Sequence, residues 1–157
     1  VANFAGLLHM AMHSLTKSGI FFAVGHIAQA KGAQRLADIT GLSVSHPHLA
    51  VLFALAVLAI CGLPPFGVFA SEFLILTTAM REQPWATPLL LLALGVAFAA
   101  IFGRTQQMVL GEHTGTRLPV PPSLLPVFVH LALVLMLGLW IPPFLAEWYR
   151  LAARMIG

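Results

Sequence analysis

The chain has 157 residues, of which 59% are hydrophobic and only 8% charged, and its mean hydropathy is +0.93. A soluble domain carries about 25% charged residues, so this composition excludes a water-soluble globular fold and the chain has to be counted in membrane spans. The net charge of +3 comes without basic runs, which argues against nucleic-acid binding, and the single Cys61 excludes an internal disulfide and a cysteine-held cluster.

In chain order, the first predicted helix covers about 3–28, enough for the roughly 20 residues that cross a bilayer core. A polar connection follows, holding Lys31, Arg35, Asp38, Ser43, Ser45, His46 and His48. The second helix covers about 47–62 and stops at Gly62-Leu-Pro-Pro-Phe-Gly67, where Pro64 and Pro65 remove two backbone donors. The third, about 67–82, carries Glu72. Pro84 and Pro88 punctuate the entry to the fourth, about 86–109, which ends near Arg104. A polar loop with Arg117, Pro119, Pro121 and Pro122 leads to the fifth, about 123–140, and then to an amphipathic tail with Glu147, Arg150 and Arg154. Trp85, Trp140, Trp148 and Tyr149 fall near span ends, where interfacial aromatics belong. The fold class expected is all-α, a polytopic transmembrane bundle of about five spans with one Pro-broken helix, in a single region covering 1–157.

Helices two and three as one crossing would need about 34 residues, near 50 Å, against a hydrocarbon core of about 30 Å. The length argument therefore favours two crossings with a broken turn between them. Irregular backbone at membrane depth is tolerated where it is buried in protein or lines a wet cavity. A Gly-Leu-Pro-Pro-Phe-Gly break beside an acidic helix fits the discontinuous helices at transporter ion sites.

The chemistry concentrates in the first helix. His9, His13 and Lys17 stand at i, i+4 and i+8, one side of a helix that climbs roughly 12 Å. A charged Lys at the bilayer centre costs about 2.5–3.5 kcal/mol, so an intramembrane lysine is a functional candidate by default. The structural alternative is an ion pair with Glu72 or with another subunit. Imidazoles exchange protons near neutral pH, and two of them beside Lys17 read as relay groups, whereas His26 near the helix end reads as interfacial. Glu72 lies far from any polar loop and is either a carboxyl that rigidifies the break or a proton acceptor and donor. His130 is the titratable group inside the fifth helix and a further candidate for proton conduction. His9 with His13, and His46 with His48, are pairs without a local Cys or carboxylate, so no metal site is expected. No phosphate-binding glycine loop or flavin motif occurs, so no cofactor is expected in this chain.

The His9-xxx-His13-xxx-Lys17 helix, followed by Gly62-Leu-Pro-Pro-Phe-Gly-Val-Phe-Ala-Ser-Glu72-Phe, resembles the antiporter-like proton-pumping subunits of the respiratory complex I superfamily. That group joins complex I membrane-arm subunits, multi-subunit (Mrp) cation/proton antiporters and energy-converting hydrogenases. The second run looks most like the hydrogenase-type group, hydrogenase-four component F. The resemblance implies the C-terminal third of a subunit of about fourteen helices, which agrees with a chain starting at Val1 rather than Met.

Residue by residue, Lys17 would be the central lysine, His9 and His13 its relay neighbours, and Glu72 the group at the proton exit. Gly62, Pro64, Pro65 and Gly67 would mark the helix discontinuity, and Arg104 the basic residue where the next helix leaves the membrane. The implied function is proton translocation in the cell inner membrane, within a redox complex whose partner subunits carry a NiFe centre, iron–sulfur clusters or flavin. The alternatives are a cation/proton antiporter module and a structural membrane scaffold. With five crossings, Lys31, Arg35, Arg81, Arg150 and Arg154 fall on one side of the membrane and Arg104 and Arg117 on the other.

Overall fold

A computed structural model describes residues 1–112 and 123–156. The expected loop residues Arg117, Pro119, Pro121 and Pro122 lie outside the described residues. Among the described residues every regular element is helical: α1 (Ala2–Lys31), α2 (Leu42–Ser45), α3 (Pro47–Ile60), α4 (Gly67–Glu82), α5 (Thr87–Leu110), α6 (Leu125–Leu139) and α7 (Pro143–Ile156), with a 3-10 turn at Leu36–Asp38. The predicted helices match these within a few residues. The polar connection adds the 3-10 turn and one-turn α2, and the amphipathic tail forms α7.

The first helix is the spine of the bundle. Ala5, Leu8, Met12, Thr16, Gly19, Ala23, Ile27 and Ala30 are its buried residues, and their three- and four-residue steps define one stripe. It ends at Gly32, whose φ of +62° gives the left-handed cap that glycine adopts without penalty.

The second half of the stripe, Ala23, Ile27 and Ala30, packs in one cluster with Leu49, Ala50, Phe53 and Ala56 of α3. The first half meets α4: Met12 sits against Gly67, and His9 hydrogen-bonds to Ser71. Ala2, at the start of α1, shares a pocket with Thr78 and Glu82. Moving from α3 into α4 therefore moves steadily down α1, and the chain does not reverse at the break. The expectation of two crossings rested on a length of about 34 residues; α1 itself has 30 residues, about 45 Å, and α3 with α4 matches that length.

The break is built locally. The Gly62 N–H donates to Ala59 O at 3.3 Å and the Leu63 N–H to Leu58 O at 3.0 Å, with Gly62 at φ +72°. This is the paired capping pattern that closes a helix through a left-handed glycine. Pro64 and Pro65, joined by a cis peptide bond, follow at once and cannot continue the helix.

Lipid tails are as apolar as leucine, so close backbone approach takes the place of hydrophobic drive between membrane helices. Small residues supply that approach here. A Cβ on Gly138 of α6 would overlap Pro65 O and fall 2.6 Å from Gly67 N, so α6 lies directly on the break. A Cβ on Gly19 would lie 3.1 Å from the His130 Cβ, which sets how closely α1 and α6 pack. Beyond α6 the chain bends by 78° into α7, whose Tyr149 meets Phe4 edge-on with ring centroids 6.2 Å apart. Trp85, Trp140 and Trp148 are exposed.

The fifth helix differs from the rest. Only Thr87, Thr105 and Met108 of its 24 residues are buried, so its middle faces outward. By length and apolar composition it alone qualifies as a membrane span among the described residues, with α6 and α7 qualifying as one bent pair. The polar stripe dilutes α1 below that standard, and the break divides α3 from α4.

Candidate proton site at the helix break

Each candidate side chain takes its place from the way α1 is rotated. At about 100° per residue, His9, His13 and Lys17 lie roughly 60°, 100° and 140° round the helix from Met12 in the buried stripe. The ladder thus turns out of the bundle as it climbs. His9 and His13 are half-buried and Lys17 is exposed. The His9 and His13 rings are neighbours, with centroids 5.5 Å apart.

On α4, Ser71 is fully buried and its hydroxyl donates to Val68 O at 2.8 Å. With that proton committed, the His9 Nδ1–H donates to Ser71 Oγ at 3.0 Å. Nε2 of His9 is left as the nitrogen that can take and release a proton. Sequence reasoning missed Ser71. The signal for it is its place four residues after Gly67, on the α4 face that meets α1.

Glu72 is half-buried, and its side chain leans back toward the start of α4, as helical side chains do. A Cβ on Gly62 would collide with Glu72 Oε2. The carboxyl group therefore covers the glycine that ends α3 and reaches the break from the α4 side. His9 and Glu72 also line one pocket of about 140 Å³, walled otherwise by Ile75, Leu76, Leu90 and Leu94. Its lining is mostly apolar. The structure thus brings His9, held by Ser71, and Glu72 to one small cleft beside an interrupted helix.

The remaining candidates fall elsewhere. Lys17 stands one turn beyond His13 on a flank of α1 that the described residues leave open, and the structure forms no Lys17–Glu72 ion pair. His130 packs against Gly19, and its ring lies tilted against Phe22 with centroids 5.3 Å apart. Phe22 lies roughly 140° round α1 from His9, so His130 is on the other flank and does not join the ladder. Its Nδ1–H donates to Pro126 O at 2.7 Å. Both ring nitrogens of His26 are buried, with no hydrogen-bond partner among the described residues. Among the described residues no three His, Cys, Asp or Glu side chains cluster as metal ligands would.

Comparison with known proteins sets this site in context. The transmembrane family described as NADH:quinone oxidoreductase/Mrp antiporter matches residues 2–101. The hydrogenase-4 component F homolog of Methylacidiphilum infernorum (isolate V4) is 48% identical over 150 residues, covering 96% of this chain and 32% of its own length. NADH-quinone oxidoreductase subunit N of Desulforudis audaxviator is 29% identical over 104 residues, covering 66% of this chain and 21% of its own. Among solved structures, a chain of the Mrp complex from Dietzia sp. DQ12-45-1b superposes with a TM-score of 0.74 at 21% identity. That match covers 87% of this chain and 34% of the other, and carries the fold. The chain spans about a third or less of the length of these relatives. The all-helical architecture and the family match agree: the chain belongs to the NADH:quinone oxidoreductase/Mrp antiporter transmembrane family.

Proposed function

We propose that this chain is part of a proton-translocating subunit of a redox-driven membrane complex, of the energy-converting hydrogenase or NADH-quinone oxidoreductase type. The observation that carries the proposal is the shared chamber: His9 and Glu72 face the same 140 Å³ pocket at a break in the helix. Intramembrane ionisable groups are costly and mark ion paths by default, and interrupted helices are tolerated where they line a wet cavity.

In this reading a proton reaches His13 and then His9 from Lys17, on the flank where further protein would complete the path. It binds Nε2 of His9 while the Nδ1–H stays on Ser71, then crosses water in the chamber to the Glu72 carboxylate. His130 lies off this route. The proton moves within the chain, while NiFe, iron–sulfur or flavin chemistry belongs to partner subunits. The setting is the cell inner membrane, with neighbouring membrane and peripheral subunits of one complex.

Lys17→Ala and Glu72→Gln, each in the complete complex reconstituted in vesicles, test the proposal. Both should cut proton uptake or release strongly while the complex still assembles. Normal pumping in both refutes it. Sodium-dependent proton flux without any electron donor would identify the antiporter reading instead, and loss of assembly in both variants would identify a scaffold.

A further inference from the structure

The last helix is patterned unlike the others. At about 100° per residue, the side chains of α7 from Phe144 to Met155 sort into three sectors. Leu145, Ala146, Tyr149, Ala152 and Ala153 are half-buried and share one side. That side rests on the start of α1, where Tyr149 meets Phe4 and the Asn3 amide donates to Ala153 O at 3.4 Å. Glu147, Arg150 and Arg154 are exposed and stand together within about 60° of arc. Phe144, Trp148, Leu151 and Met155 fill a second exposed arc of similar width, at steps of four, three and four residues. Met155 is 88% exposed and even Leu151 is 50% exposed, so the described residues leave this apolar stripe open.

What the stripe meets follows from its level in the bundle. On its way down, α6 passes from His130 beside Gly19 to Gly138 on the backbone of Gly67, which sits against Met12. It therefore runs antiparallel to α1. The chain then turns by 78° into α7, which lies across the bundle, close to the membrane plane, at the rim where α1 starts and α4 ends. The three tryptophans of the chain gather at that rim: Trp85 between α4 and α5, Trp140 at the α6–α7 corner and Trp148 in the stripe. All three are exposed. Exposed tryptophans at one level mark the boundary between headgroups and acyl chains. A helix in that boundary, apolar on one side with basic side chains beside the apolar row, has the build of a membrane-surface helix.

The charged sector selects the lipid. Glu147 Oε2 and Arg150 Nη1 are 3.3 Å apart on side chains more than half exposed, and an exposed pair of this kind is worth little. Arg154 has no acidic partner among the described residues, which leaves the sector with one net positive charge. A guanidinium fits phosphate oxygens through two parallel N–H bonds. Arg150 and Arg154, one turn apart, present two such forks beside the stripe. A zwitterionic headgroup offsets its phosphate with its own cation, whereas an anionic headgroup does not.

We propose that α7 is a binding site for anionic phospholipid in the headgroup layer of one leaflet. Phe144, Trp148, Leu151 and Met155 enter the upper acyl region, and Arg150 and Arg154 take the phosphates. Through Phe4 and Asn3 the bound leaflet holds the start of α1. The site does not depend on the proton-translocation reading. Each basic side chain near an anionic surface is worth roughly fivefold in binding, so one net charge should enrich anionic lipid by about that factor.

The test uses the complete complex in nanodiscs of phosphatidylcholine mixed with phosphatidylglycerol. Met155, the most exposed residue of the stripe, is replaced by photoreactive benzoylphenylalanine, and mass spectrometry identifies what the α7 peptide captures on illumination. The captured molecules should be lipid, with phosphatidylglycerol enriched about fivefold over its share of the nanodisc. Arg154→Gln should bring that ratio down to the bulk composition, and Arg154→Lys should keep it high. Glu147→Gln should raise it by a further factor of about five, a gain that damage to the fold would not give.

Capture of a neighbouring subunit in place of lipid would identify the stripe as a protein interface and overturn the proposal. So would the absence of any adduct, which would put the stripe in bulk water. A ratio that stays at the bulk composition in every variant overturns the anionic site. If Arg154→Gln fails to assemble, Glu147→Gln decides alone, and an unchanged ratio there refutes the role of the charged sector.

Discussion

Replacing Gly62 with alanine probes the break and the Glu72 carboxyl together. Gly62 holds φ +72°, a region that costs an L-residue with a Cβ roughly 1–2 kcal/mol. The new Cβ would also collide with Glu72 Oε2, and turning that side chain off its rotamer adds about 0.5–1.5 kcal/mol. The sum is about 1.5–3.5 kcal/mol of lost stability, of which only the second part depends on Glu72. A double-mutant cycle with Glu72→Ala separates the two. The stability of the detergent-solubilised protein would be followed by denaturant titration for Gly62→Ala, Glu72→Ala and the pair. The pair should be less destabilised than the sum of the singles by about 1 kcal/mol, because removing the carboxyl relieves the collision and leaves the φ penalty. Sites that do not touch add to within about 0.3–0.5 kcal/mol. Additivity within that margin would refute the placement of Glu72 over Gly62.

Gly138→Ala pushes a methyl group into the backbone of Pro65 and Gly67. Overpacking of this kind costs about 1–3 kcal/mol, so the variant should show a lowered melting temperature and easier proteolysis between α3 and α4. Ser71→Ala leaves the Nδ1–H of His9 without its acceptor. That should cost about 1 kcal/mol, and nitrogen NMR of the histidine ring should show the neutral Nδ1–H tautomer giving way to a mixture. An unchanged tautomer would refute the Ser71 hydrogen bond. Gly19→Ala brings a Cβ to 3.1 Å from the His130 Cβ. It should weaken α1–α6 packing while leaving proton transport intact, since His130 lies off the ladder. A transport defect of the size seen for Lys17→Ala would put His130 back on the path.

Much of the fold was legible because its signals are local. Gly62, Pro64 and Pro65 stop a helix wherever they occur, and the predicted bounds of α3 and α4 follow from them. The direction of the chain through the break was not local. Gly-Leu-Pro-Pro-Phe-Gly permits a reversal or a continuation, and the choice comes from Met12 meeting Gly67 and His9 meeting Ser71, contacts 55 and 62 positions apart in sequence. The ladder was legible as a spacing, but how far each rung is buried was not. A drift of about 40° per step turns Lys17 out of the bundle, and only the placement of α4 and α6 tells which rung stays inside. Ser71 went unseen because a serine in an apolar helix commonly bonds its own backbone, as it does here to Val68, and nothing in the sequence marks a second bond to a histidine.

The unbroken direction of α3 and α4 also redraws the electrical balance of the two membrane faces. Running on in one direction, the pair leaves the α5 C-terminus beside the α1–α3 connection, where Arg104 shares a pocket with Leu36 and Thr40. Arg104 thereby joins the rim that carries Lys31 and Arg35. Arg81 ends α4 at the opposite rim, and Arg150 and Arg154 line a pocket there with Val1, Asn3 and Phe4. Among the described residues that is three basic side chains at each rim, whereas the five-crossing count, which included Arg117, had put five against two. Membrane insertion reads such asymmetry in Lys and Arg near span ends. The described basic side chains therefore favour neither direction of entry, which is left to the rest of the polypeptide.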